Sequence, residues 1–217
     1  TSQATGVKLA QVGSARRFIM VGTDLADYRR VRNRLARGVH ADDVSVNDVV
    51  LATISGAFRT WLLTRGAPVH SATVVRALVP VSVETEGSDG LNQLSACLVD
   101  LPVGEPAASM RLHQIAFHMR QQIEGGRAVG ADRLAGMAGF ASPTLHSMGA
   151  RLGSAMSKRL FNVIVTNVPG PQSSLYAGDA RMIATYPVIP LAKGQALAIG
   201  LTSYDGGVYF GLNADRD

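Results

Sequence analysis

The chain has 217 residues, of which 47% are hydrophobic and 17% charged, so it can bury the core of one large domain or of two small ones. Its formal charge of +5 is compatible with anionic partners, but only 6% of residues are aromatic and no aromatic platform interleaves with Arg or Lys, which disfavours nucleic acid. The single cysteine, Cys97, excludes an internal disulfide and favours a reducing compartment, and no apolar run reaches the roughly 20 residues that span a bilayer.

The N-terminal region divides into a linker, a strand and a basic helix. Residues 1–16 are small and polar, and we expect a linker or crossover from another part of a longer polypeptide, with the folded domain at residues 17–217. Residues 17–23 have the pattern of a strand, and Asp24 is a good N-cap for a helix that runs through Leu35 and is ended by Gly38. The arginines of this helix are Arg29, Arg30, Arg32, Arg34 and Arg37. They indicate a solvated basic face or, as the alternative, a surface for phosphate or acidic lipid.

A second helix begins at a capping box, in which Ser45 is the N-cap residue and Asp48 is the acid three positions later. Apolar residues lie around most of the helix that follows, which predicts a buried central helix ended by Gly66. These apolar residues are Val49, Val50, Leu51, Ile54, Ala57, Phe58, Trp61 and Leu62.

The middle of the chain predicts strands at residues 73–83 and 94–101 and a helix opened by Pro106. His113 and His118 lie on that helix five positions apart, a spacing that turns them away from each other and is not that of a zinc-binding helix. We therefore expect surface or packing histidines and no metal site.

The remaining predicted elements are helices at residues 128–140 and 142–160, short strands at 174–177 and 181–188, and a hairpin of 195–204 with 208–213. The hairpin is the clearest of them, because Asp205-Gly206 between alternating strands is the strongest short hairpin signal.

A strand closed by polar residues lies at residues 162–171. Val163, Ile164 and Val165 are β-branched, Thr166 and Asn167 follow, and Pro169-Gly170-Pro171 cannot continue a strand ladder. The simplest interpretation is a polar turn at the end of a strand, and the alternative is the wall of a site with Asn167 directed into a channel.

Known catalytic patterns are missing from the sequence. There is no GxSxG serine motif, no Walker A motif and no GxGxxG between a strand and a helix, and Cys97 has no basic neighbour in its strand. The residues alone therefore predict an α+β domain with a buried helix, mixed strands and no self-sufficient catalytic set.

Four segments, in this order, resemble blocks of the bacterial wax ester synthase/acyl-CoA:diacylglycerol acyltransferases, including the mycobacterial triacylglycerol synthases. The segments are Ser45–Ala52, Arg76–Ser82, Asn162–Pro171 and Pro190–Gly207. The resemblance covers about Arg17 to Asn213 and implies the C-terminal half of such an enzyme. It also implies one of two chloramphenicol acetyltransferase-like halves, each a two-layer α/β arrangement in which helices cover a mixed β-sheet, with the active site in a tunnel between the halves.

The resemblance implies transfer of a fatty acyl group from acyl-CoA to diacylglycerol or a long-chain alcohol, with acyl-CoA as substrate and no cofactor. The family's HHxxxDG motif, whose second histidine is the general base, does not occur in this sequence. We therefore expect no catalytic residue here, no turnover by this chain alone, and the N-terminal half of the same enzyme as partner across an exposed apolar face.

The implied location is cytoplasmic, peripheral to the inner membrane or to lipid droplets. The alternatives are a non-catalytic module that binds lipid or a partner, and a condensation-type acyltransferase domain that uses carrier-protein thioesters.

The resemblance also assigns residues to the lining of the active site and to substrate binding. They are Asn47, Asp48, Thr166, Asn167, Pro169 and Gly170. Lys193 and the arginines of the first helix are the residues expected to contact CoA phosphates. The capping role of Asp48 is compatible with a place at the site.

Overall fold

The computed structural model describes residues 13–35, 44–83, 93–124, 129–130, 161–191 and 195–216. The predicted α+β class is confirmed within these residues. The elements in chain order are β1 (Arg16–Asp24), α1 (Leu25–Leu35), α2 (Val46–Thr64), β2 (Val75–Val83), β3 (Gln93–Leu101), α3 (Ala108–Glu124), β4 (Val129–Gly130), β5 (Val163–Pro169), β6 (Tyr176–Ala177), β7 (Ala180–Arg181), β8 (Leu197–Tyr204) and β9 (Gly207–Asp215).

One mixed sheet of seven strands organises the fold, in the order β1-β9-β8-β5-β2-β3-β4. The central strand β5 runs parallel to both of its neighbours, β2 and β8, and every other pair in the sheet is antiparallel. The stretch that ends in Thr166 and Asn167 therefore lies in the middle of the sheet, with Asn167 beside Leu201 of β8.

The three helices cover one face of the sheet, and the main core lies between them and the strands. It joins Leu51 and Phe58 of α2, Ile115 of α3 and the inward-facing Val99 and Val165 of the strands. Burial of this apolar surface is the main force that holds the layers together.

The prediction that α2 is a buried central helix is wrong for its last turns. Leu62 is buried, but the Trp61 and Leu63 side chains are 38% and 50% exposed. The helix is an outer layer on the sheet, so only its inward stripe is covered. The Arg65 guanidinium lies 4.9 Å from the centre of the Trp61 ring and shields part of it.

The N-terminal ends of α1 and α3 differ in how well the sequence predicted them. Asp24 caps α1 as predicted, because its Oδ1 accepts a hydrogen bond of 2.8 Å from the backbone N–H of Ala26. Pro106 does not lie in the first turn of α3, which begins at Ala108. The carbonyl of Ala107 accepts the backbone N–H of Arg111, so Ala107 rather than Pro106 is the residue that caps this helix.

The segment of residues 182–191, called the strap, crosses the opposite face of β8 and β9. The predicted strand at 181–188 is wrong here, because beyond Arg181 the strap has no strand pairing. Its carbonyl groups bond to side chains instead: they accept hydrogen bonds from Tyr204 Oη at 3.0 Å, Tyr209 Oη at 3.2 Å and Asn213 Nδ2 at 2.9 Å.

Two glycines make room for the strap. Gly200 of β8 and Gly211 of β9 are directly paired across the strands. A Cβ at Gly211 would overlap the carbonyl oxygen of Pro187, and a Cβ at Gly200 would lie 2.8 Å from Ile189 Cγ1. The strap therefore packs against bare backbone at this pair.

The predicted hairpin is confirmed, with β8 and β9 joined by Asp205 and Gly206. Both residues have positive φ, 45° and 81°, as the tight turn that matches strand twist requires. The Asp205 carboxylate accepts hydrogen bonds from Ser174 Oγ at 2.8 Å and from Arg181 at 2.6 Å, which fixes the turn against the β6–β7 hairpin.

Several predictions fall outside the described residues: the linker up to residue 12, the helix at 142–160 and Lys193. Of the predicted helix at 128–140, only Val129 and Gly130 are described, and they form the short strand β4 beside β3.

Candidate active site

Two predicted site residues that are 120 positions apart meet at the end of the central strand. Asn167 Nδ2 donates a hydrogen bond of 3.1 Å to Asn47 Oδ1. Asn167 lies near the end of β5, two residues before Pro169. Asn47 lies in the first turn of α2. Both side chains are partly buried, so this amide pair joins the two motifs at one rim of the helix-covered face.

The start of α2 is held by its capping box, which is confirmed. Ser45 Oγ accepts the backbone N–H of Asp48 at 3.1 Å, and Asp48 Oδ2 accepts the backbone N–H of Ser45 at 2.7 Å. These reciprocal bonds satisfy donors that a helix start leaves free. They fix the backbone of Asn47, which lies between them in sequence.

Asp48 is a buried carboxyl group, 4% exposed, directly beside the amide pair in sequence. Burial raises its pKa, against the lowering effects of the hydrogen bonds from Ser45 and of the positive charge of Arg120 on α3. The net direction is upward, because a carboxylate loses hydration when it is buried.

Asp48→Asn is expected to become more stable relative to the wild type as pH rises. The folded state binds more protons between the ordinary pKa of 3.8 and the raised one, so ionised Asp48 lowers the free energy of unfolding as pH increases through that window. Asn keeps an acceptor for the Ser45 N–H and does not titrate. Urea unfolding of both proteins from about pH 4 to about pH 8 tests this linkage, and parallel stability curves would contradict it.

Thr166 and Asn167 point to opposite faces of the sheet, because successive side chains of a strand alternate. Val163 and Val165 belong to the core under the helices, and so the side chain of Asn167 is on that face. Ile164 belongs to a second cluster, and Thr166, 7% exposed, shares its face. The side chain next to the Asn167 amide is therefore that of Asn47 rather than that of Thr166.

Pro169 and Gly170 end β5 against β8. Pro169 is exposed and pairs in register with Ser203, and a Cβ at Gly170 would overlap the carbonyl oxygen of Ser203. Gln172 Nε2 closes the turn with hydrogen bonds of 3.0 Å to the Gly170 carbonyl and to Ser203 Oγ. A need for close packing thus accounts for glycine at this position.

Within the described residues, no hydrogen bond joins a histidine side chain to the amide pair. His70, His113 and His118 are all exposed, and the described residues contain no group of three His, Cys, Asp or Glu able to hold a metal ion. Cys97 is fully buried, and burial raises the pKa of its thiol, which disfavours a thiolate. No described helix is long and apolar enough to cross a membrane.

Sequence reasoning missed the charge of Arg120 beside Asp48. The two residues are on different helices, and the sequence contains many arginines with no feature that distinguishes this one. Only the packing of α3 against α2 brings it there.

Residues 91–217 match the model of the WS/DGAT C-terminal domain family, which is more than half of the chain. The chain belongs to this family. WS/DGAT stands for wax ester synthase/diacylglycerol acyltransferase, the family that the four sequence segments resemble.

Individual relatives extend the WS/DGAT match over nearly the whole chain. The O-acyltransferase WSD of Acinetobacter baylyi is 30% identical over 209 residues, which cover 95% of this chain and 43% of that protein. The structure of the wax ester synthase/diacylglycerol acyltransferase from Marinobacter aquaeolei VT8 superposes with a TM-score of 0.69 at 29% identity, covering 97% of this chain and 45% of that one. The chain thus spans less than half of the length of these relatives.

A more distant likeness bears on the WS/DGAT fold alone. The starter condensation domain of rhizomide synthetase gives a TM-score of 0.52 at 13% identity and covers 95% of this chain and 41% of that one. The predicted two-layer architecture, shared with condensation domains, is therefore confirmed.

Proposed function

We propose that this chain is the C-terminal part of an acyl-CoA-dependent O-acyltransferase that transfers a fatty acyl group to diacylglycerol or to a long-chain alcohol. The observation that carries the proposal is the amide pair, because it brings the two motifs of the sequence to one place. The relatives support the reaction type, since their names are O-acyltransferase and wax ester synthase/diacylglycerol acyltransferase.

In this reaction the acceptor hydroxyl oxygen attacks the thioester carbonyl carbon, and negative charge develops on the carbonyl oxygen. A base takes the hydroxyl proton and returns it to the leaving CoA thiolate as the new ester forms. An amide N–H directed at the carbonyl oxygen stabilises the developing charge. Asn167 has the right chemistry for that donor, and none of the described histidines is hydrogen-bonded to it.

The partner that supplies the base is the N-terminal part of the same enzyme. β1 is a candidate contact surface for it, because Phe18, Ile19, Met20 and Val21 are 38% to 60% exposed on this edge strand. Ile183, at the start of the strap, is 85% exposed. Apolar surface of this kind is typical of sites that another protein segment covers.

A lipid substrate also requires access to a lipid surface, and α1 is the basic candidate for that contact. Arg30 is paired with Asp27, while Arg29, Arg32 and Arg34 are exposed and have no ion pair within the described residues. Free arginines at a surface attract anionic headgroups. The proposed location is therefore peripheral, at the inner membrane or at lipid droplets.

The complete enzyme is expected to release CoA from a long-chain acyl-CoA in the presence of diacylglycerol or a fatty alcohol. The 217-residue chain alone is expected to show no turnover, because it lacks the base. Thiol release and chromatography of the lipid product measure both. Turnover only with carrier-protein thioesters would favour a condensation-type domain, and lipid binding without any turnover would favour a non-catalytic module.

A further inference from the structure

We infer that Asn47 is a positioning residue that acts through Asn167, by fixing the orientation of its side-chain amide toward the acyl carbonyl. This inference rests on the proposed acyltransferase function. It gives Asn47 a role distinct from capping α2, which Ser45 and Asp48 perform.

The hydrogen bond between the two amides breaks the symmetry of the Asn167 side chain. A terminal amide has a broad, roughly two-fold torsional preference, so an unpaired Asn would present its oxygen and its nitrogen almost equally. Asn47 Oδ1 accepts from Asn167 Nδ2 at 3.1 Å, so the nitrogen of Asn167 is on the side toward α2. With the Asn47 amide in this orientation, turning the Asn167 amide over would place two carbonyl oxygens face to face.

The second N–H of Asn167 then becomes the available donor. Each Nδ2 carries two protons, and only one is used by Asn47. Within the described residues no other hydrogen bond involves the Asn167 side chain, and that side chain is only partly buried. The second N–H therefore has no partner among the described residues, which leaves it available to a substrate oxygen.

The backbone that carries the Asn47 amide is fixed by neighbouring hydrogen bonds. Asn47 lies in the first turn of α2, between Ser45 and Asp48, whose reciprocal hydrogen bonds fix the backbone there. Asp48 is in turn buried near the charge of Arg120. A donor placed by such a fixed neighbour costs little reorganisation when charge develops in the transition state.

A double-mutant cycle on the complete enzyme tests this role. Asn47→Ala is expected to lower kcat about 10-fold with little change in KM for acyl-CoA, because misorientation weakens a contact made mainly in the transition state. Asn167→Ala is expected to lower kcat more, and the double variant to match Asn167→Ala. Multiplicative losses in the double variant would overturn the inference, since Asn47 would then act independently.

Ile54→Val is the matched control. Ile54 is a buried residue of the same helix outside the amide pair, so the substitution loosens α2 packing without touching the site. It is expected to lower the melting temperature and leave kcat unchanged. If Ile54→Val lowers kcat as much as Asn47→Ala does, Asn47 has a purely structural role.

Failure of this inference is separable from failure of the proposed function. A wild-type enzyme without acyltransferase turnover would overturn both. An active wild type with an equally active Asn47→Ala variant would overturn only the positioning role.

Discussion

Replacing Asn167 by alanine in the complete enzyme is expected to lower kcat by about 100-fold or more, the typical cost of removing one donor to a developing oxyanion. The reason is that one N–H of the Asn167 amide is hydrogen-bonded to Asn47 Oδ1, while the other N–H remains available to a substrate at the end of β5. Steady-state kinetics with acyl-CoA and a long-chain alcohol measure the loss. KM for acyl-CoA is expected to change less than kcat, because the contact strengthens as charge develops.

Gln172→Ala is the control for this experiment. Gln172 is exposed and bonds to the Gly170 carbonyl and Ser203 Oγ in the same turn, yet it has no contact with the amide pair among the described residues. Its loss is expected to leave kcat unchanged. Activity of Asn167→Ala near that of the wild type would exclude Asn167 as the donor and with it the mechanism derived above.

Gly211→Ala is expected to destabilise the protein by about 2–3 kcal/mol, in the range of overpacked cores, and to lift the strap. The new Cβ would overlap the carbonyl oxygen of Pro187 and lie 3.0 Å from Phe18 Cζ. A backbone carbonyl cannot move aside as the end of a flexible side chain can, so the strap must shift. For a domain of this size the melting temperature is expected to fall by roughly 5–10 °C.

Gly22→Ala provides a matched glycine on the same face of the sheet. A Cβ there would lie 3.4 Å from Tyr186 Oη, an ordinary contact, so we expect a change within about 0.5 kcal/mol. Limited thermolysin digestion with mass spectrometry is expected to show new cleavage within residues 182–191 in Gly211→Ala only. Equal stability and equal digestion of the two variants would contradict the tight seating of the strap.

Local signals in the sequence predicted local structure well. The capping box at Ser45 and Asp48, the cap at Asp24 and the turn at Asp205-Gly206 all have the predicted geometry. Each depends on bonds or backbone angles within a few residues, so the chemistry of the residue types decides the outcome.

Long-range features could be predicted only in part. The motifs indicated that Asn47 and Asn167 belong to one site, but the bond between them depends on packing α2 against β5 across 120 residues. The conformation of the strap was not predicted, because its apolar, proline-containing sequence has the pattern of an interrupted strand. What decides its conformation is the glycine pair beneath it, Gly200 and Gly211, on strands that follow later in the chain.

The position of β9 in the sheet has a consequence for how the chain folds during synthesis. β9 lies between β8 and β1, so Arg16 pairs with Asp215 and β1 has no other partner in the described sheet. β1 therefore remains unpaired until nearly the last residue of β9 has been synthesised. Such a high contact order slows folding and leaves the backbone hydrogen-bonding groups of β1 without strand partners in the meantime.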